Sequence, residues 1–174
     1  EGKTMTIQTV SDGLIVEFAA SFRENIQSSS INAIIDKPKT GDTYFRNKVE
    51  MKDASILIVE DNFSNQQIIT LYIKNEVHKI DVAFNGKEAL DKFGTSKYDL
   101  ILMDVQMLIM DGFKATQKIR DIEKSYNTRI PIIAVTANAF PEDKERCLQA
   151  GMDDYISKPF QPEELISKIR NLLN

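Results

Sequence analysis

Four short apolar runs, each followed by a charged or hydroxyl side chain, constrain the fold of this chain more than any other feature. They are residues 56–59 before Glu60 and Asp61, 100–103 before Asp104, 132–135 before Thr136, and 155–157 before Lys158. Runs of this length, separated by helical patterns, indicate strands buried on both faces of a parallel sheet. Because ligands bind at the carboxyl ends of parallel strands, we expect these side chains to share one pocket.

Strand and helix patterns alternate five times after Ala54. The predicted strands cover residues 55–59, 79–83, 100–104, 130–135 and 155–157. The predicted helices cover residues 65–75, 86–93 (ended by Gly94), 112–124, 142–150 (ended by Gly151) and a segment from Pro162 onward. Five such units favour right-handed crossovers and an α/β fold. We expect a flavodoxin-like, doubly wound, five-stranded parallel sheet of order 2-1-3-4-5 with helices on both faces, and its switch point lies between the two strands that end in acids.

Residues 1–52 have a different pattern from the rest of the chain. Alternation over residues 4–10, a turn at Ser11-Asp12-Gly13 and an apolar run over 14–18 predict a β-hairpin. Residues 25–30 and 36–42 have the composition of a linker. We therefore expect an N-terminal hairpin and linker over 1–52 and an α/β domain over 53–174. A lone hairpin is marginal in water, so it should pack on a partner or on the main domain.

Composition excludes several classes of function. The net charge is −4 and no basic patch dominates, which argues against direct nucleic-acid binding. No apolar run reaches the length of a membrane span, so we expect no membrane contact by this segment. The single cysteine, Cys147, excludes an internal disulfide and is typical of a reducing compartment. We expect a cytoplasmic segment of a longer parent that can be membrane-anchored, because the chain begins at Glu1 rather than at methionine.

The strand-end side chains predict phosphoryl chemistry. Asp61 and Asp104 are the expected direct ligands of Mg²⁺, and the longer Glu60 can act through a metal-bound water. A single acid at a strand end is solvated or caps a helix as often as it binds a ligand. Three acids at adjacent strand ends, in contrast, favour a cation site. Lys158 and Thr136 can hold an anion, so the set suits phosphoryl transfer. Asp104 lies in the middle strand and is the best candidate for a carboxylate nucleophile.

Four segments resemble the motifs of one family. They are residues 56–62, 102–112 with Met-Asp-Val-Gln-Met and Met-Asp-Gly, 135–139 with Thr-Ala-Asn-Ala, and 153–160 with Asp-Tyr-Ile-Ser-Lys-Pro-Phe. Together, over about residues 54–174, they resemble a response-regulator receiver domain, most closely the receivers of hybrid histidine kinases. The resemblance implies that Asp104 accepts phosphate from a phosphohistidine. It also implies the following site: Mg²⁺ on Glu60, Asp61, Asp104 and the backbone carbonyl of Gln106, phosphoryl contacts from Thr136 and Lys158, and a cis Lys158–Pro159 peptide.

The resemblance also implies a switch. Thr136 moves toward the phosphoryl group and Tyr155 turns inward behind it, which rearranges the surface of the fourth helix, fifth strand and fifth helix. A phosphoryl group brings about two negative charges and strong acceptors, which is sufficient cause for such a change. Gln106 and Asn138 occupy the positions that tune dephosphorylation in the family. Leu108 stands where the family usually has proline, and we expect it to loosen the loop after Asp104.

Expected partners are a histidine kinase domain, in cis or in trans, and a histidine phosphotransfer protein. His78, the only histidine, lies between the first helix and the second strand, which favours a surface connector over a phosphodonor. No nucleotide-binding motif occurs, so only self-phosphorylation and self-dephosphorylation are expected of this segment. The N-terminal hairpin resembles the closing hairpin of a kinase ATPase domain, and a dimerisation arm or an unrelated interdomain piece is an equal alternative.

Other functions compete with the receiver of a hybrid kinase. A stand-alone response regulator that acts by protein docking is the first alternative, and a Mg²⁺-dependent aspartyl-phosphate phosphatase is the second. Such phosphatases need a general acid two residues after the nucleophile, where this chain has Gln106. A receiver that binds partners without being phosphorylated is disfavoured by the intact set of Asp104, Thr136 and Lys158.

Overall fold

The computed structural model describes residues 4–11, 14–21, 48–126, 128–137 and 140–174, which fall in two compact units, Glu1–Asp42 and Thr43–Asn174. In the first unit, β1 (Thr4–Ser11) pairs antiparallel with β2 (Leu14–Ser21), and Ser11 lies opposite Leu14. The predicted hairpin is thus confirmed, although its second strand continues three residues beyond Phe18. The predicted turn residues Asp12 and Gly13 and the predicted linker lie outside the described residues.

The second unit contains a five-stranded parallel sheet. Its strands are β3 (Ser55–Val59), β4 (Lys79–Ala83), β5 (Leu100–Asp104), β6 (Ile132–Thr136) and β7 (Asp154–Ser157). They pair in the order β4-β3-β5-β6-β7, which confirms the predicted order 2-1-3-4-5. In the part of the chain that the structure describes, five α-helices connect or follow these strands: α1 (Phe63–Ile73), α2 (Gly86–Thr95), α3 (Gly112–Tyr126), α4 (Pro141–Gln149) and α5 (Pro162–Leu173). A short 3-10 helix, Met51–Asp53, precedes β3.

Both faces of this sheet are buried. Successive residues of β3 enter opposite core clusters, because side chains alternate between the faces of a strand. Ile58 packs in the cluster that contains Ile69 of α1 and Leu165 of α5. Leu57 packs in the cluster that contains Ile119 of α3. The sheet is therefore a rigid base, and its strand ends are fixed in position.

Helix α1 begins two residues earlier than predicted, and only some of its apolar residues are buried. The Asn62 side chain accepts hydrogen bonds from the backbone N–H groups of Ser64 and Asn65, so the helix begins at Phe63. Of its apolar residues, Ile69 and Ile73 are buried, whereas Phe63, Ile68 and Leu71 are exposed. The apolar residues of α1 are thus divided between the core and the surface.

Two other predicted boundaries are wrong, for local reasons. Helix α2 continues through Gly94, which lies in open space, and its last turn closes with a hydrogen bond from the Ser96 N–H to the Lys92 carbonyl, 2.9 Å. Strand β6 begins at Ile132 rather than at Ile130. Pro131 has no N–H that could donate a hydrogen bond to a neighbouring strand. The Ile130 N–H donates to the Glu123 carboxylate instead of to a strand.

A buried ion cluster fixes the connections at the opposite edge of the sheet. The Arg120 guanidinium donates to Glu123 at 2.6 Å, to Asp153 at 2.8 Å and to the Gly151 carbonyl at 2.8 Å. Gly151 has a φ of 98° and follows the end of α4, as the sequence predicted. Arg129 also donates to Asp153 and to the Gly151 carbonyl. The cluster ties α3 to the turn between α4 and β7.

Candidate functional site

The side chains predicted for the pocket come together at the carboxyl edge of the sheet. Asp104 and Thr136 are the last residues of β5 and β6, while Glu60 and Lys158 directly follow β3 and β7. The parallel register places Asp104 beside Val135 and Thr136 beside Ser157. A further backbone hydrogen bond joins the Lys158 N–H to the Thr136 carbonyl at 2.7 Å. Pairing along four strands is thus what brings these distant residues to one place.

Three carboxylates form the centre of the site. One ligand oxygen from each of Glu60, Asp61 and Asp104 lies within 4.8 Å of the other two. Glu60 is 1% exposed and Asp104 is 5% exposed, whereas Asp61 faces solvent. Carboxylate oxygens at this spacing suit a hard divalent cation, which would offset their mutual repulsion. The residues present therefore fit Mg²⁺.

Lys158 lies between the two buried acids. Its Nζ is 2.5 Å from Glu60 Oε2 and 2.7 Å from Asp104 Oδ2. Burial raises the pKa of Asp104 to about 6, and Glu60 acts in the same direction, against Lys158 and the Gln106 N–H. Burial also favours the neutral form of Glu60, but hydrogen bonds from Lys158 and Asn65 outweigh it and hold the pKa of Glu60 below its ordinary value. The two carboxylates raise the pKa of Lys158, although its burial opposes this. Glu60 is therefore firmly ionised, whereas the negative charge of Asp104 is energetically unfavourable.

Two site residues were not predicted from the sequence. Asn65 Nδ2 donates to Glu60 Oε1 at 2.8 Å, and Gln66 Nε2 donates to the Glu60 carbonyl at 2.6 Å. Both lie in the first turn of α1, which the Asn62 cap folds back over Glu60. Gln66 is buried, and a polar residue on a mostly apolar helix was the signal available in the sequence. These amides orient Glu60 and leave its second carboxylate oxygen for Lys158.

The loop from Val105 to Gly112 wraps around Asp104. The Gln106 N–H donates to Asp104 Oδ1 at 2.9 Å, while the Gln106 side chain is exposed. The Gly112 N–H returns to the Val105 carbonyl at 3.1 Å, which closes the loop. Leu108 lies at the exposed tip. The expectation that Leu108 loosens this loop stays a prediction.

A cavity of about 440 Å³ opens beside the acids, between this loop and α4. Asp61, Thr136, Leu108 and Cys147 of α4 are among the residues that line it. The Cys147 thiol is buried and its pKa is raised by that burial, so it packs the helix and is a poor nucleophile. Open space therefore adjoins Asp61 and Thr136, two of the side chains that meet at this edge of the sheet.

Tyr155 lies away from the acids, on β7 beside Ala134. Its ring centroid is 5.3 Å from the Lys144 Nζ of α4 and 5.5 Å from the Lys168 Nζ of α5. Lys168 also forms an ion pair with Asp154 at 2.9 Å. These contacts connect Tyr155 to the two helices that flank β7.

The remaining predicted positions are placed as follows. The Lys158–Pro159 peptide bond is cis. His78 is exposed between α1 and β4. Asn138 lies outside the described residues. Among the helices that the structure describes, none has both the length and the apolarity that crossing a bilayer requires.

Comparison with known proteins identifies similar domains. Residues 56–170 match the family described as response regulator receiver domain. Hybrid signal transduction histidine kinase I of Dictyostelium discoideum is 44% identical over 125 residues, which cover 69% of this chain and 7% of that protein. The chain therefore spans less than a tenth of the length of this curated relative.

Two solved structures have a similar fold. The receiver domain of sensor histidine kinase PA1611 from Pseudomonas aeruginosa PAO1, with a magnesium ion coordinated in its active site cleft, has a TM-score of 0.63. It is 39% identical, and the match covers 70% of this chain and 98% of that one. The Saccharomyces cerevisiae complex of the histidine phosphotransfer protein Ypd1 with the receiver domain of Ssk1 gives a TM-score of 0.65, with 32% identity over 68% of this chain and 88% of the matched chain.

Proposed function

Since this chain belongs to the response regulator receiver domain family, we propose that it accepts a phosphoryl group on Asp104 from a phosphohistidine. Membership makes it a receiver domain of two-component signalling, and the acceptor, the metal and the switch are the proposal. The observation that supports the acceptor best is the position of Asp104. It is a buried carboxylate that touches Lys158 and lies within reach of two further acids. A structural ion pair needs one acid per amine, and this site has three.

The metal proposed for the site is Mg²⁺. Glu60, Asp61, Asp104 and the backbone carbonyl of Gln106 are the proposed ligands, directly or through water. When bound, the ion neutralises charge that develops on the phosphoryl oxygens. The related kinase receiver PA1611 contains magnesium in its cleft, which supports the assignment.

The transfer conserves charge and bonds in a single displacement. One Asp104 carboxylate oxygen forms a bond to phosphorus as the phosphorus–nitrogen bond of the donor histidine breaks. The imidazole keeps the electron pair of that bond and takes a proton from solvent, so an acyl phosphate and a neutral imidazole result. Lys158 and Thr136 lie beside Asp104 to hold the phosphoryl oxygens, and no ionisable side chain of the chain needs to change its proton.

The proposed response moves Thr136 and Tyr155. With the phosphoryl group in place, Thr136 closes on it and Tyr155 turns inward, which alters the surface of α4, β7 and α5. Lys144 and Lys168 contact the Tyr155 ring from these two helices, so a movement of the ring would change their packing. Gln106 and Asn138 are the proposed positions that set the lifetime of the phosphoryl group.

The proposed partners are a histidine kinase domain, in cis or in trans, and a histidine phosphotransfer protein. The hybrid kinase of D. discoideum and the Ypd1–Ssk1 complex support both assignments by similarity. We place this segment in the cytoplasm as part of a hybrid kinase. Residues 1–52 are proposed to be the end of a kinase ATPase domain with its linker, and residues 53–174 the receiver. A stand-alone regulator is the alternative, and Gln106 argues against a phosphatase because an amide cannot supply the second acid.

Incubation with acetyl phosphate tests the function directly. Intact-mass analysis should detect one phosphoryl adduct with Mg²⁺, and the initial rate should fall by at least about a hundredfold with EDTA, because a metal ion contributes several kcal/mol at such sites. Calcium in place of magnesium is the matched control, since it offers the same charge with looser ligation. Absence of an adduct under every condition, or an adduct that forms equally well in EDTA, would refute the proposal.

Lys158→Met should separate phosphoryl binding from metal binding. The change removes the ammonium group that lies 2.5 and 2.7 Å from two proposed ligand carboxylates. Because a competing positive charge is lost, we expect Mg²⁺ to bind more tightly in a calorimetric titration, by about tenfold. The yield of adduct from acetyl phosphate should nevertheless fall. Lys168→Met, which removes the ammonium paired with Asp154, is the control and should alter neither quantity more than twofold.

A further inference from the structure

The loop after Asp104 exposes two large apolar side chains side by side. Leu108 is 78% exposed and Ile109 is 82% exposed. Ile109 has a φ of 69°, and the Met110 N–H donates to the Leu108 carbonyl at 2.8 Å, so these three residues form a tight γ-turn. A β-branched residue at positive φ is strained, whereas glycine or asparagine adopts this conformation readily. Two features of this pair therefore destabilise the free domain, namely the exposure of both apolar side chains and the strained backbone at Ile109.

Leu108 lies at the rim of the proposed acceptor site, and Ile109 is the next residue of the same loop. This loop also supplies the Gln106 N–H to Asp104, and Leu108 lines the cavity together with Asp61 and Thr136. Asp104 itself is 5% exposed. A protein donor has to bring a histidine ring into this recess, so the surface around that ring must cover the rim.

We propose that Leu108 and Ile109 form an apolar contact that binds the surface beside the phosphohistidine of a histidine phosphotransfer protein. The inference rests on the proposed function and adds to it the residues that select a protein donor over a small one. An apolar contact suits a donor whose phosphoryl group is itself charged, because it adds affinity without attracting or repelling that group. Burying two such side chains also compensates for their exposure in the free domain.

The fixed turn supports a binding role. Gly112 and Gly86 hold the loop, the first by donating to the Val105 carbonyl and the second by donating to the Met110 carbonyl at 3.0 Å. A side chain that projects from a loop held at both ends loses little conformational freedom when a partner binds. Leu108 and Ile109 are therefore preorganised for binding to a partner.

The test compares two phosphodonors on the same variants. Leu108→Ser, Ile109→Asn and the double variant are phosphorylated by acetyl phosphate with Mg²⁺ and, separately, by phosphorylated Ypd1. Tyr126→Ser is the matched control, because Tyr126 is another exposed apolar side chain, at the far end of α3. We expect the ratio of kcat/KM with Ypd1 to the rate with acetyl phosphate to fall at least about tenfold in the double variant, mainly through KM for Ypd1. The rate of Ile109→Asn with acetyl phosphate should stay within about twofold of wild type, because Ile109 does not line the cavity.

Ile109→Asn provides a second readout that loss of folding cannot imitate. Asparagine tolerates the positive φ, so the melting temperature of this variant should rise while transfer from Ypd1 falls. Equal transfer from Ypd1 to all variants would overturn the inference, as would a wild type that accepts from acetyl phosphate but not from Ypd1. Failure of the wild type with acetyl phosphate would instead refute the proposed function. The two proposals therefore fail in different experiments.

Discussion

Asp104→Asn should abolish the phosphoryl adduct formed with acetyl phosphate and Mg²⁺. An amide oxygen is a far weaker nucleophile than a carboxylate, and an amide nitrogen cannot form the acyl phosphate. The change also removes one of the three acids that are proposed to hold the metal, so Mg²⁺ should bind more weakly. We expect no adduct by intact mass under conditions in which the wild type is substantially modified.

The folded state should tolerate this substitution. Burial raises the pKa of Asp104 from 3.8 to about 6, so its ionisation destabilises the folded protein as the pH rises from about 4, and the full penalty applies above about 6. A neutral amide removes this penalty, and the melting temperature at pH 7.5 should equal or exceed that of the wild type. Lys158 keeps Glu60 as its partner in the variant.

Asp91→Asn provides the matched control for Asp104→Asn. Asp91 is an exposed acid on α2, so the same chemical change occurs away from the site. The yield of phosphoryl adduct in Asp91→Asn should equal that of the wild type. An adduct that persists in Asp104→Asn would identify another acceptor and contradict the assignment, and peptide mapping would then locate it.

The sheet and its acidic edge were predictable because one physical pattern determines both. A strand buried on both faces has to be apolar throughout, so the first polar residue after it marks the strand end. Glu60, Asp104 and Thr136 each occupy that position, Lys158 directly follows the less buried strand β7, and the parallel topology places all four on one edge. The pocket was therefore predictable without any knowledge of side-chain geometry.

What the pattern missed depends on contacts made after the chain has folded. The hydrogen bonds from Asn65 and Gln66 to Glu60 depend on where α1 begins, and the Asn62 cap decides this in a segment where several polar residues could have capped the helix. The exposure of Ile68 depends on how much of α1 the sheet covers, and the composition of the helix does not determine this.

The positive φ of Ile109 was also beyond the sequence signals. Asp111-Gly112 predicts a turn at the start of α3, whereas the turn that strains the backbone lies two residues earlier, at a β-branched residue. Conformational propensity would not have predicted a turn at Ile109, since β-branched residues avoid positive φ. Places where the structure opposes local propensity tend to be functional, which is consistent with a binding role for this loop.

Gly112→Ala should cause a large loss of stability. A Cβ at Gly112 would lie 2.1 Å from the carbonyl oxygen of Asp104 and 3.0 Å from its carbonyl carbon. The obstacle is backbone of the central strand, so no side-chain rotation can relieve the overlap. We expect the free energy of unfolding, measured by urea denaturation, to fall by about 3 kcal/mol or more, because overpacking against a fixed strand is among the costliest changes.

Gly94→Ala is the matched control, because it adds the same methyl group to another helical glycine. No atom beyond its chain neighbours and the nearby backbone of its own helix lies within 4 Å of the added Cβ, and Gly94 lies in the last turn of α2. Alanine has the higher helix propensity, so the free energy of unfolding should rise by about 0.5–1 kcal/mol. Equal stability of the two variants would mean that the loop after Asp104 can move away from β5. In that case the N–H of Gln106 would not be held at the acceptor, and the preorganisation inferred for Leu108 and Ile109 would be wrong as well.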